Sequence, residues 1–185
     1  MQTFLIATAA VAVAEIGDKT QLLSLILAAK YRRPWPICAG ILVATLLNHT
    51  LAAGVGAAVA AWLSPQVLKW IVAGSFLAVA AWTLVPDKVD EEGADKGAGH
   101  GVLIATIIAF FLAEMGDKTQ IATVVLAAQY TPLWQVIAGT TVGMLLANVP
   151  VVWLGSTFAN KLPLRAARIA AAALFAALAV WIVLR

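Results

Sequence analysis

Displaced by 99 residues, the sequence falls on itself, and it does so at its most costly positions. Glu15-Ile16-Gly17-Asp18-Lys19-Thr20-Gln21 lands on Glu114-Met115-Gly116-Asp117-Lys118-Thr119-Gln120, with only Ile16 and Met115 differing. Tyr31 falls on Tyr130, Gly40 on Gly139 and Gly56 on Gly155. This is an internal duplication. Each copy sets two carboxylates and an ammonium inside a long apolar run. Apolar runs beyond roughly 18 residues read as membrane spans. An ionised side chain at membrane depth costs about 2.5–3.5 kcal/mol even on insertion scales, and such groups mark ion and proton pathways. The duplication therefore predicts one ion site assembled from two halves.

Composition agrees with a membrane chain. Of 185 residues, 63% are hydrophobic and 11% charged, against about 25% charged in a soluble domain. The main partner is a lipid bilayer. The formal net charge of +3 comes with basic residues at segment ends, where topology explains them, so no nucleic-acid partner is expected. Cys38 is the one cysteine, which excludes an intrachain disulfide and offers no thiolate metal site. The start, Met1-Gln2-Thr3-Phe4, lacks the basic region of a signal peptide, and its apolar stretch contains Glu15 and Asp18. It reads as a retained first helix.

Six apolar segments are predicted: about Thr3–Ala29, Pro36–Leu63, Val67–Val85, Val102–Ala128, Leu133–Phe158 and Leu164–Leu184. The first would be roughly 40 Å long as one helix, against a hydrocarbon core of about 30 Å. It must tilt, kink or unwind, and Gly17 is the natural break. The third carries no charge after Lys69 and reads as a lipid-facing or packing helix. Residues 1–86 form the first three-helix repeat, 87–101 an acidic linker and 102–185 the second repeat. Three spans per repeat invert the second half in the membrane. Loop charges agree: Lys30, Arg32 and Arg33 follow segment one, while no Lys or Arg follows segment four. Lys69 stands alone after Ser64, whereas Lys161, Arg165 and Arg168 cluster at the start of segment six. The positive-inside rule then puts the linker on the cytoplasmic side and both termini outside. The expected fold is all-α integral membrane, six transmembrane helices as two inverted three-helix repeats, an architecture of secondary transporters.

On a continuous helix, Glu15, Asp18 and Lys19 share a face, as do Glu114, Asp117 and Lys118. Joined across a pseudo-twofold axis, four carboxylates and two ammoniums carry a net charge of about −2, which a divalent cation would neutralise. The expected metal site is Glu15, Asp18, Glu114 and Asp117. Supporting polar groups are Lys19, Lys118, Thr20, Thr119, Gln21, Gln120, Asn48 and Asn148. Oxygen donors suit Mg²⁺, Ca²⁺ and Mn²⁺ and disfavour Zn²⁺ or Cu⁺. The same carboxylates can carry protons, and metal competes with protons for them. The plainer reading pairs Glu15 with Lys19 and Glu114 with Lys118 as intrahelical bridges, but two carboxylates per lysine exceed one bridge. His49, alone in an apolar helix, reads as a satisfied packing residue. Gly139 and Gly143 have GxxxG spacing, with Gly40 and Ala44 as counterpart, and read as a packing seam. Trp35, Trp62, Trp70 and Trp134, near segment ends, read as interface anchors.

The doubled Glu-x-Gly-Asp-Lys-Thr resembles the hallmark of the Golgi manganese/calcium–proton antiporters and bacterial manganese exporters, two copies of E-x-G-D-[KR]-[TS] on the first and fourth of six core helices. Leu47-Asn48-His49 and Ala147-Asn148-Val149-Pro150 also look typical of that family. The resemblance implies a secondary transporter and no enzyme. It implies export of Mn²⁺, with Ca²⁺ as a second substrate, driven by proton entry, and a cation site at Glu15, Asp18, Glu114 and Asp117. No resident cofactor is implied. The absence of the N-terminal extension of eukaryotic members favours a bacterial plasma membrane. Competing readings are an exporter of amino acids or organic cations, an intramembrane aspartyl protease and a channel. The first wants aromatics near the acids. The second wants Gly-x-Gly-Asp, where this chain has Glu15 and Glu114 in place of the first glycine. A charged midplane between inverted repeats favours alternating access over an open pore.

Overall fold

The structure, a computed structural model, describes residues 1–85, 101–155 and 164–184. The described residues form eight helices and no strand. In chain order these are α1 Gln2–Glu15, α2 Lys19–Tyr31, α3 Pro34–Trp62, α4 Pro65–Thr83, α5 Val102–Glu114, α6 Lys118–Gln129, α7 Leu133–Leu154 and α8 Leu164–Leu184. Helices suit such a chain because backbone polar groups in lipid must be satisfied within their own segment. α3, α4, α7 and α8 are long and apolar enough to cross a membrane, and the chain is an integral membrane protein. At 29 residues, α3 is roughly 44 Å long, longer than a hydrocarbon core of about 30 Å, so it tilts or extends into the headgroup region.

The first and fourth expected segments are each two helices, broken where the glycines stand. α1 has 14 residues and α5 has 13, about 20 Å each, too short to cross alone. The fifth segment ends at Leu154, short of the expected Phe158. Phe158, Lys161, Arg185 and the linker from 87 to 100 lie outside the described residues.

Small residues let the helices approach closely. A Cβ added at Gly40 of α3 would stand 2.6 Å from Thr106 Cβ and 3.0 Å from the Leu103 carbonyl oxygen. One at Gly139 of α7 would stand 2.6 Å from the Phe4 carbonyl oxygen and 2.9 Å from Ala7 Cβ. These contacts are related by the same 99-residue shift. Gly143 meets the Thr8 carbonyl oxygen of α1 in the same way, at 2.7 Å, so Gly139 and Gly143 are the packing seam their spacing predicts. Gly40 meets α5 near Leu103, and Asn48 two turns on donates to the Phe111 carbonyl, 3.1 Å. α3 and α5 therefore run parallel, as α7 does with α1. α3 and α7 themselves pack together in opposite directions, with Trp35 at the start of α3 edge-on to Trp153 at the end of α7, 5.3 Å between centroids.

The helices α4 and α8 depart from the correspondence. They pair through stacked Phe76 and Phe175, 6.0 Å between centroids. α4 then leans on α6, whereas its counterpart α8 leans on α1 rather than on α2. Both therefore cover the same side of the four-segment centre, and α4 is a packing helix. Trp35, Trp62, Trp70 and Trp134 are exposed near helix ends, as interface anchors are.

Candidate metal centre

The two breaks are built alike. α1 ends at Glu15, Ile16 is extended (φ −65°, ψ 113°), Gly17 has φ 81°, and Asp18 is extended before α2 begins. The Asp18 N–H donates to the Glu15 carbonyl at 3.1 Å. These are the marks of a type II turn, whose third residue must take a positive φ and is therefore glycine. Met115 (φ −62°, ψ 120°), Gly116 (φ 75°) and the Asp117 N–H to the Glu114 carbonyl, 3.1 Å, repeat it. The turn frees the glycine N–H, and the motif glutamine takes it up. Gln21 Oε1 accepts from Gly17 N–H at 2.9 Å, and Gln120 Oε1 from Gly116 N–H at 2.7 Å. The structure thus gives both amide oxygens to the backbone of the turn.

The motif threonine reaches back across the turn to the motif glutamate. Thr20 Oγ1 donates to Glu15 Oε2. Thr119 Oγ1 lies 3.1 Å from both Glu114 Oε2 and Asp117 Oδ2. The other oxygen of each glutamate, Oε1 of Glu15 and of Glu114, is buried and accepts no hydrogen bond. Both residues are 0% exposed. One oxygen each from Glu15, Glu114 and Asp117 lie within 4.8 Å of one another. Two glutamates from different halves, each with an oxygen awaiting a partner, form an oxygen cage suited to a hard cation.

The lysines reach across to the opposite half rather than following the spacing of one continuous helix. Because the helix breaks between Glu15 and Lys19, the shared face of a continuous helix is lost. Instead each ammonium crosses to the other half: Lys118 Nζ to Asp18 Oδ1 at 2.6 Å, and Lys19 Nζ to Asp117 Oδ1 at 3.0 Å. The Lys118–Asp18 pair is almost fully buried, while the Lys19 side chain keeps 28% of its surface exposed.

Around this centre, Gln21 Nε2 donates to the Ala147 carbonyl at 3.0 Å. Asn148 accepts from Ser24 Oγ at 2.8 Å and donates to the Met144 carbonyl at 3.1 Å. Asn48 ties α3 to α5. Both asparagines thus join helices. Ser24 was not picked out from the sequence. Its signal is a hydroxyl in an apolar run that falls on Thr123 in the repeat. His49 falls on Asn148 in the same shift. It is fully buried with neither ring nitrogen hydrogen-bonded, so it is packed but not satisfied.

Paired broken helices that bring buried carboxylates together inside an all-helical membrane fold make a cation carrier, not an enzyme. The family model "Divalent cation/proton antiporter GDT1" matches residues 3–91 and 102–185, and the chain belongs to this family. It is 56% identical to a protein of Vibrio cholerae serotype O1 described as "Putative manganese exporter", over 95% of this chain and 87% of that one. It is 27% identical to "GDT1-like protein sll0615" of Synechocystis, over 82% of each chain. No solved structure matches.

Proposed function

We propose that this protein exports a divalent cation, Mn²⁺ ahead of Ca²⁺, in exchange for protons by alternating access. The observation that carries the reading is the pair Glu15 and Glu114. They come from different halves, are fully buried, and each keeps an oxygen without a donor beside Asp117. Asp18 stands outside that trio, paired with Lys118 of the other half. Oxygen donors alone suit Mn²⁺ and Ca²⁺ alike. The manganese description of the Vibrio relative favours Mn²⁺. A proton and a metal ion compete for the same carboxylate oxygens, so loading with one expels the other.

Counting each broken pair, α1 with α2 and α5 with α6, as one span gives six spans in two inverted three-helix repeats. The antiparallel run of α3 against α7 supports this. So does the N-terminal ammonium, which donates to Gln135 at 3.1 Å beyond the loop that follows α6. In this reading the loop after α2 is cytoplasmic and both termini lie outside, which the exposed Lys30, Arg32 and Arg33 support through the positive-inside rule. A bacterial plasma membrane fits the Vibrio relative.

The test is uptake into inverted vesicles with a panel of divalent cations and a luminal pH indicator. Mn²⁺ entry should be matched by proton exit from an acidic lumen. Acid on the binding side should raise the half-saturating Mn²⁺ concentration more than it lowers the maximal rate. Mn²⁺ flux with no proton counterflow at clamped voltage would mean a uniporter or channel. Absence of any divalent flux would remove the reading altogether.

A further inference from the structure

Lys19 and Lys118 lie in the centre of the site, yet an ammonium has no lone pair with which to hold a metal ion. Each contacts the aspartate of the opposite half. In a water-poor interior an unbalanced charge is far costlier than a paired one. The contacts therefore divide the four acids into two kinds. Asp18 and Asp117 face ammoniums. Glu15 and Glu114 take hydrogen bonds from threonine hydroxyls, which carry no charge, and Thr119 also reaches Asp117 beside its ammonium partner.

We infer that Lys19 and Lys118 set the valence of the cargo. By balancing Asp18 and Asp117 across the interface between the halves, they leave the site two negative charges, centred on Glu15 and Glu114. One divalent cation neutralises these, whereas a monovalent ion leaves one over and a trivalent ion overshoots. Asp117 still reaches the cargo, but with its charge already met by Lys19. The inference rests on the divalent-cation reading above and adds to it that the lysines, which do not touch the cargo, decide its charge.

The experiment measures binding of radioactive Mn²⁺ to purified protein in detergent and its displacement by La³⁺. Lys118→Met leaves three negative charges, so the La³⁺ to Mn²⁺ affinity ratio should rise by about tenfold or more, the scale of a buried pair losing one partner. Lys118→Arg, which keeps the charge, should hold the wild-type ratio. Lys19→Met should move the same way by less, because its partly exposed pair is screened by solvent. Asp18→Asn alone strands a buried ammonium and should weaken Mn²⁺ binding. The double variant Asp18→Asn with Lys118→Met again carries two negative charges. It should regain Mn²⁺ binding and return the ratio to within about threefold of wild type.

An unchanged La³⁺ to Mn²⁺ ratio in folded Lys118→Met and Lys19→Met protein would overturn the inference. So would a double variant that binds Mn²⁺ no better than Asp18→Asn, which would make Asp18 a ligand. Should Lys118→Met fail to fold, Lys19→Met and the double variant decide the matter. Wild-type protein that binds no Mn²⁺ would instead strike the transport reading itself, a separate outcome.

Discussion

At the scale of single residues, the motif is a set of hydrogen-bond assignments as much as a set of ligands. Each glutamate is held by one oxygen, from Thr20 or Thr119, so that the other stays open. Glu15→Gln and Glu114→Gln keep the shape and remove the charge. Each should abolish Mn²⁺ uptake into vesicles while membrane abundance and monodispersity hold, and normal uptake by either would refute a site shared between halves. Thr119 has one proton to share between two carboxylates, and Thr20 gives its proton to one. A hydrogen bond to a charged group contributes about 1.5–3 kcal/mol, so Thr20→Val and Thr119→Val should each raise the half-saturating Mn²⁺ concentration by about tenfold or more. A concentration series in vesicles reads both, and unchanged half-saturation in either variant would mean that its hydroxyl does not hold the glutamate for the cation.

At the scale of elements, glycine acts in two separable ways. Gly116 has φ 75° and open space where a Cβ would go. Gly116→Ala therefore meets no neighbour and costs only backbone strain, about 1–2 kcal/mol. It should lower thermal stability modestly and weaken cation binding, because the turn sets Glu114 against Asp117. Gly116→Asn, which tolerates the left-handed region, should be milder. Gly56 is the opposite case: a Cβ there would collide with the Val124 carbonyl oxygen of α6. Gly56→Ala must push α3 off α6 and should cost about 1–3 kcal/mol. Gly54, two residues away with nothing nearby, is the control. Its replacement by alanine should be neutral or gain up to about 1 kcal/mol of helix propensity. Thermal unfolding in detergent separates the three.

At the scale of the whole molecule, the question is which way each half faces. Arg32 and Thr131 are 99 residues apart and both exposed, so an inverted repeat puts them on opposite sides of the membrane. In a Cys38→Ala background, a cysteine at Arg32 should react with an impermeant thiol reagent only from the cytoplasm, and one at Thr131 only from outside. Labelling of both from one side would end the inverted-repeat arrangement. The pairing of α4 with α8 on one side of the centre leaves the four inner segments as the part in which the two halves correspond.

What the sequence determined by itself is whatever depends on local chemistry. Apolar runs long enough to span the hydrocarbon core make the chain a membrane protein, and in lipid such runs satisfy their backbone groups as helices. The glycine at the third place of each acid turn sets the break, since only glycine takes that φ without strain. The duplication shows that both acid clusters belong together. Tertiary structure decided the partnerships. Helical spacing pairs Lys19 with Glu15, but that rule presupposes an unbroken helix, and the break removes it. Lys118 then meets Asp18, 100 residues away, a contact no local pattern encodes. The same holds for Gln21 and Gln120, which read as supporting polar groups in sequence but whose oxygens are taken by a backbone N–H that is free only because of the turn. It holds too for α4 and α8, whose like sequence positions end on unlike neighbours because two apolar faces paired through Phe76 and Phe175 cover one side of the centre.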